Sequence, residues 1–149
     1  MSQPDQSLAE WAEGLLREVF PAAEVIEAVP RTGGQLSAVY EVRCADPAHT
    51  VIFKVYAREW VWKQGKEVRV YEMLASLRSL PVPSVLYQTP PGAGPGGGRA
   101  VTILSLLEGR PLSEVSRDLD SAAIPAFYRE MGAALATVHQ IGQDSYGYL

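Results

Sequence analysis

Lys54 stands in Phe53-Lys54-Val55-Tyr56, a cation set among β-branched and aromatic residues of the kind that fill a sheet. An ammonium taken out of water is costly unless a partner neutralises it. The stretch that follows offers two carboxylates, Glu67 and, five residues later, Glu72. A lysine on a strand, held by a glutamate on the next helix, can aim its ammonium at the oxygens of a bound anion. The competing reading is a lysine that runs along an exposed strand and keeps its head in water. Ahead of it lies Thr32-Gly33-Gly34-Gln35-Leu36-Ser37. Glycines between two strands let backbone amides approach anionic oxygens that a side chain would obstruct, although many Gly-Gly pairs are plain turns.

Other residues with chemical promise carry less. Gly92, Gly94 and Gly97 make a literal G-x-G-x-x-G, but Pro95 interrupts it and the strand-like AVTILSLL follows where a helix should open. The run from Pro90 to Gly98 reads as a linker, and no Gly-Lys-Ser/Thr occurs anywhere. His139 and Asp144 invite an acid–base reading, but no nucleophile accompanies them, and a histidine at a helix end is favoured by the dipole alone. Trp60 and Trp62 lie beside Arg58 and Lys63 and read as seating a helix. Cys44 reads as a small buried hydrophobe rather than a reactive thiol.

Three strand signals must carry these residues: Val25 to Val29, Ala38 to Arg43 and Val51 to Tyr56, the last two joined by the turn-forming Asp46-Pro47-Ala48-His49. In the second, Val39, Glu41 and Arg43 alternate against Tyr40 and Val42, as a half-buried antiparallel strand does. Ser7 and Glu10 suggest a capping box opening a helix through Phe20, ended by Pro21. A second helix is expected from Trp62 to Leu80, with Val70, Met73, Leu74 and Leu77 on one face, stopped by Pro81 and Pro83. Val82 to Gln88 reads as an edge strand and Ala100 to Leu107 as a buried one. Past Gly109 the pattern turns helical, most clearly from Ile124 to Gln140, where Phe127, Met131, Leu135 and Val138 share a face. Strands first and helices afterwards indicate an α+β fold with an antiparallel sheet of about five strands.

Composition narrows the possibilities. The chain has 149 residues, 47% hydrophobic and 20% charged, enough to bury a core. Its formal net charge of −4 argues against nucleic acid as a partner. A single cysteine leaves no internal disulfide and fits a reducing, cytoplasmic setting. The start lacks the basic and apolar regions of a signal peptide, and no apolar run is long enough to span a membrane.

Taken in order, these segments resemble the aminoglycoside phosphotransferases and their choline-kinase-like relatives. GGQLSAVYEV is similar to the phosphate loop, VIFKVY to the lysine strand and EVRVYEML to the glutamate-bearing helix. LPVPSVL resembles the segment that follows, LSLLEGRPL the hinge, and LATVHQI…YGYL the first helices of a larger lobe. The resemblance runs from Val25 to Leu149. It implies a kinase-like N-lobe over residues 1–107, with an N-terminal helix at 7–20, and the start of a helical C-lobe over 108–149.

By the same resemblance, the cofactor is ATP or GTP with magnesium and the acceptor a small-molecule hydroxyl. Lys54 would contact the α- and β-phosphates, and Glu67 would orient it. Gly33, Gly34 and Ser37 would border the triphosphate. Ser105 and Leu107 would offer backbone groups to the base. The family often has a Ser-Asn pair after its glycines, where this chain has Leu36-Ser37. The family's H-x-D-x-x-x-x-N catalytic loop and its metal-binding aspartate do not occur in these 149 residues. No catalytic or metal-ligating residue is therefore assigned here, and the expectation is nucleotide binding without turnover. The helix at 124–140 should expose an apolar face and favour self-association. The alternatives are a non-catalytic binding module on the same fold, or an α+β domain with no ligand.

Overall fold

The computed structural model describes residues 6–31, 37–45, 48–90, 92–94 and 99–142, and of Gln6 and Ser7 the backbone alone. Five strands form one sheet: β1 (Val25–Arg31), β2 (Ser37–Cys44), β3 (His49–Tyr56), β4 (Val85–Gln88) and β5 (Ala100–Ser105). Their spatial order is β1-β2-β3-β5-β4, and every neighbouring pair is antiparallel. The helices are α1 (Gln6–Leu16), α2 (Trp62–Ala75), α3 (Leu112–Val115) and α4 (Ala123–Val138). The α+β architecture expected from strands followed by helices is the one found.

Period-two alternation divides the sheet into two faces. Val51, Phe53 and Val55 of β3 pair with Val42, Tyr40 and Ala38 of β2, and Phe53 and Val55 also pair with Ile103 and Val101 of β5. This face packs against α1, where Ala12 and Leu16, one turn apart, are wholly buried. Trp11 meets the Phe53 ring edge-on with centroids 5.7 Å apart, a favourable aromatic geometry. Glu13 ties α1 to the sheet by accepting the Val25 amide at 3.0 Å. Cys44 belongs to this core; burial pushes its thiol pKa up, which keeps it neutral and inert.

Several boundaries differ from those expected. Helix α1 already includes Gln6, one residue ahead of the expected cap at Ser7, whose side chain lies outside the described residues. It ends at Leu16, where the chain tightens: Val19 and Phe20 both donate to the Leu16 carbonyl. Helix α2 ends at Ala75 rather than Leu80. Ser76 turns its hydroxyl onto the Met73 carbonyl at 2.6 Å, and Arg78 takes a left-handed φ of 51°, which no helix continues. Its buried residues are Gln64 and Val68, not the face expected from Val70, Met73, Leu74 and Leu77, which are half-buried. Strand β3 starts two residues early, at His49. Strand β4 begins at Val85 and lies at the sheet edge, while β5 ends at Ser105 rather than Leu107. Asp46 and Pro47 of the expected β2–β3 turn lie outside the described residues.

Between β4 and β5, Gly94 donates its amide to the Arg99 carbonyl at 2.9 Å. A Cβ at position 94 would collide with that carbonyl, so close approach of the backbone requires glycine there. No helix follows it, and Gly97 lies outside the described residues.

Candidate functional site

The face of the sheet opposite α1 carries the other half of each strand. Ile52, Lys54 and Tyr56 of β3 lie there, beside Leu104, Thr102 and Ala100 of β5 and Glu41, Val39 and Ser37 of β2. Lys54 is thus placed by the same alternation that buries Phe53 and Val55. Thr102, its direct partner on β5, is fully buried.

Helix α2 is brought over this face by three anchors. A short 3-10 turn at Arg58–Trp60 ends β3 and redirects the chain, with the Trp60 amide on the Ala57 carbonyl at 2.8 Å. Gln64, 4% exposed, donates its amide nitrogen to the Val101 carbonyl of β5 at 2.8 Å. Val68 is buried one turn later. Gln64, Glu67, Val68 and Tyr71 recur at spacings of three and four, so one side of the helix holds the anchors and Glu67 together. Trp60 and Trp62 lie at this entry. The Lys63 ammonium stands 4.6 Å from the Trp60 ring and 5.4 Å from the Trp62 ring, and Trp62 is 55% exposed.

The result is an ion pair between Lys54 Nζ and Glu67 Oε2. Of the two carboxylates open to the lysine in the sequence, Glu67 is the partner, and Glu72 is exposed. Both side chains keep some contact with water, 20% for Lys54 and 34% for Glu67. This partly shielded setting makes the pair stronger than a surface bridge without the full cost of a dry one.

A third member was not legible from residue type. Tyr56, 1% exposed, donates its hydroxyl to the same Glu67 Oε2 at 2.6 Å. Its ring faces the Lys54 ammonium at 5.5 Å. Burial, then the Glu67 carboxylate beside it, push the phenol pKa far above its ordinary value, so it remains a donor. The sequence signal was its position: two residues after Lys54 on one strand means the same face.

The remaining expected site residues divide. Ser37 is on the Lys54 face, diagonal to it across the β2–β3 ladder, a spacing of about 7–8 Å between such neighbours. Gly33 and Gly34 lie outside the described residues. Ser105 ends β5, three pairs along the β3–β5 ladder from the Lys54–Thr102 pair, about 10 Å at the rise of a strand. Its amide donates to the Ser84 carbonyl at 2.9 Å, and its hydroxyl accepts from the Ser84 amide at 2.8 Å. Leu107 follows the strand and is 44% exposed. His139 caps the C-terminus of α4, where a helix dipole favours it; Asp144 lies outside the described residues. Among the described residues no three histidine, cysteine, aspartate or glutamate side chains converge.

The Lys54–Glu67 pair leaves a cation, held by a carboxylate, on the face of the sheet that α2 covers. The sequence profile of the phosphotransferase enzyme family (APH) matches residues 27–148. Among solved structures, that of a Haemophilus somnus 129PT protein, provisionally described as a fructosamine-3-kinase, superposes with a TM-score of 0.62. Identity is 21%, over 93% of this chain and 41% of that one, a likeness of fold, and this chain spans less than half of the other's length. No curated protein matches the chain significantly.

Proposed function

We propose a nucleotide-binding role for this chain, which belongs to the phosphotransferase enzyme family: it supplies the phosphate-gripping part of an ATP- or GTP-dependent transferase acting on a small-molecule hydroxyl. The observation that carries the reading is the Lys54–Glu67 ion pair. An ammonium has three N–H donors. One bond to Glu67 leaves the others for phosphate oxygens, and the carboxylate keeps the head from swinging into solvent. Electrostatic positioning of this kind dominates phosphoryl transfer, which asks little covalent chemistry of the protein.

In this reading Lys54 faces the α- and β-phosphates, and Gly33, Gly34 and Ser37 border the triphosphate. The backbone at Ser105 and Leu107 receives the base. Because the Ser105 amide is already bonded to Ser84, the Ser105 contribution narrows to its carbonyl oxygen. Magnesium, when bound, would neutralise phosphate charge.

Residues 1–107 form the nucleotide lobe and 108–149 the beginning of a second lobe. No H-x-D-x-x-x-x-N segment occurs in these 149 residues, so the chain by itself binds nucleotide without turning it over. The setting is cytoplasmic. Among the described residues no helix is long and apolar enough to cross a membrane. Along α4, Ile124, Tyr128, Met131 and Leu135 are 41–64% exposed, and this apolar face gives the isolated chain a tendency to self-associate.

The test is calorimetric titration with Mg-ATP and Mg-GTP before and after Lys54→Ala. Loss of one charge-assisted contact set should weaken affinity about tenfold or more. Equal affinities in the two proteins would remove Lys54 from the site. Size-exclusion chromatography checks the last point: a strictly monomeric chain counts against association through α4.

A further inference from the structure

We infer that Tyr56 is a positioning residue of this site: its phenol fixes the Glu67 carboxylate, so that the Lys54 ammonium keeps one orientation while it engages an anion. The inference rests on the function proposed above for the identity of that anion, and on geometry for the clamp itself.

Glu67 Oε2 is the shared atom, accepting from both the Tyr56 hydroxyl and the Lys54 ammonium. A carboxylate held by a lysine alone follows that lysine, and an incoming polyanion that draws the ammonium away would leave the carboxylate partly shielded and uncompensated. A second donor, fixed to the strand and not to the ligand, removes this coupling. Tyr56 suits the task. It shares a strand and a face with Lys54, is buried to 1% exposure, and swings on far fewer torsions than a lysine. Its donor is neutral, so it does not compete with Lys54 for the anion. The raised phenol pKa keeps the proton on oxygen wherever the protein is handled. The ring meanwhile presents its face to the ammonium at 5.5 Å, so one side chain touches both members of the pair.

The experiment is NMR of the chain labelled at tyrosine Cζ and lysine Nζ, in the wild type and in Tyr56→Phe, followed by calorimetric titration of both with Mg-ATP. In the wild type the Tyr56 hydroxyl proton should exchange with water about tenfold or more slower than that of Tyr128, which is 64% exposed. Tyr56→Phe keeps the ring and its packing. It should nonetheless speed exchange of the Lys54 ammonium protons several-fold and weaken Mg-ATP binding about threefold to tenfold, the scale of one hydrogen bond to a charged group.

A Tyr56 hydroxyl that exchanges as fast as that of Tyr128 overturns the clamp, and this wild-type measurement stands even if the variant does not fold. Lys54 exchange indifferent to Tyr56→Phe overturns it too. So does unchanged Mg-ATP affinity in a variant whose parent binds nucleotide. A slow hydroxyl and a responsive Lys54 in a wild type that binds no nucleotide would uphold the clamp and remove the nucleotide reading instead.

Discussion

On the α1 side of the sheet, Val51, Phe53 and Val55 close against Ala12 and Leu16 in a core that is almost wholly apolar. On the α2 side, their neighbours Lys54 and Tyr56 meet Glu67, and Gln64 ties the helix to the Val101 carbonyl of β5. The same strand builds both, one residue in two to each. The difference teaches where rigidity comes from: the apolar face sets the strand's position, and the polar face inherits it. The backbone at Lys54 cannot shift without also moving Phe53 out of its packing, whereas the long Lys54 side chain keeps its own torsions.

The comparison breaks most sharply at Phe53. Phe53→Ala should cost about 3–5 kcal/mol by urea unfolding, since a fully buried ring leaves a cavity. A loss under about 1 kcal/mol would deny that this face holds the sheet. Gln64→Ala tests the polar side's own anchor. The Val101 carbonyl keeps the Thr89 amide at 2.9 Å, so the expected loss is smaller, about 1–2 kcal/mol.

Stability should also fall with rising pH in alkaline solution. Cys44 and Tyr56 both have folded pKa values above their ordinary 9.0 and 10.0. Above those values the unfolded chain releases protons that the folded chain retains, so each group favours unfolding by up to about 1.4 kcal/mol per pH unit until its folded form titrates. Cys44→Ala should flatten the first part of that slope in denaturant melts at pH 8 to 10; an unchanged slope would place the proton release elsewhere. The smallest effect is expected at the rim of the polar face. There Glu27, Arg43, Glu41 and Arg31 form a charge ladder on β1 and β2. Glu27 and Arg43 are 45% and 52% exposed, and Glu27→Gln should change stability by less than about 0.5 kcal/mol. A larger loss would show that the ladder helps to hold the edge strand.

Much of this was legible before any coordinates. The alternation Val39 to Arg43 against Tyr40 and Val42 marked a two-faced strand, and VIFKVY marked another with a cation inside it. Proline after Leu80 marked a break that the chain makes five residues earlier, at Ala75. What escaped was long-range. Gln64 and Val70 differ in polarity, and a hydrophobic pattern favours Val70 for the interior. Yet Gln64 is the buried one, its amide finding a backbone carbonyl at position 101 on another element. Tyr56 escaped because aromatic residues at strand ends are common, and its hydroxyl partner is eleven residues away on another element.

The sequence by itself determined the alternation of the strands, the isolation of one lysine among apolar neighbours and the supply of carboxylates downstream, because these follow from local periodicity and residue chemistry. It left open which carboxylate the lysine meets, which helix covers which face, and that a phenol joins the pair. Those were decided by tertiary structure, because the order β1-β2-β3-β5-β4 and the angle of α2 depend on contacts between residues far apart in the chain. No local pattern encodes them.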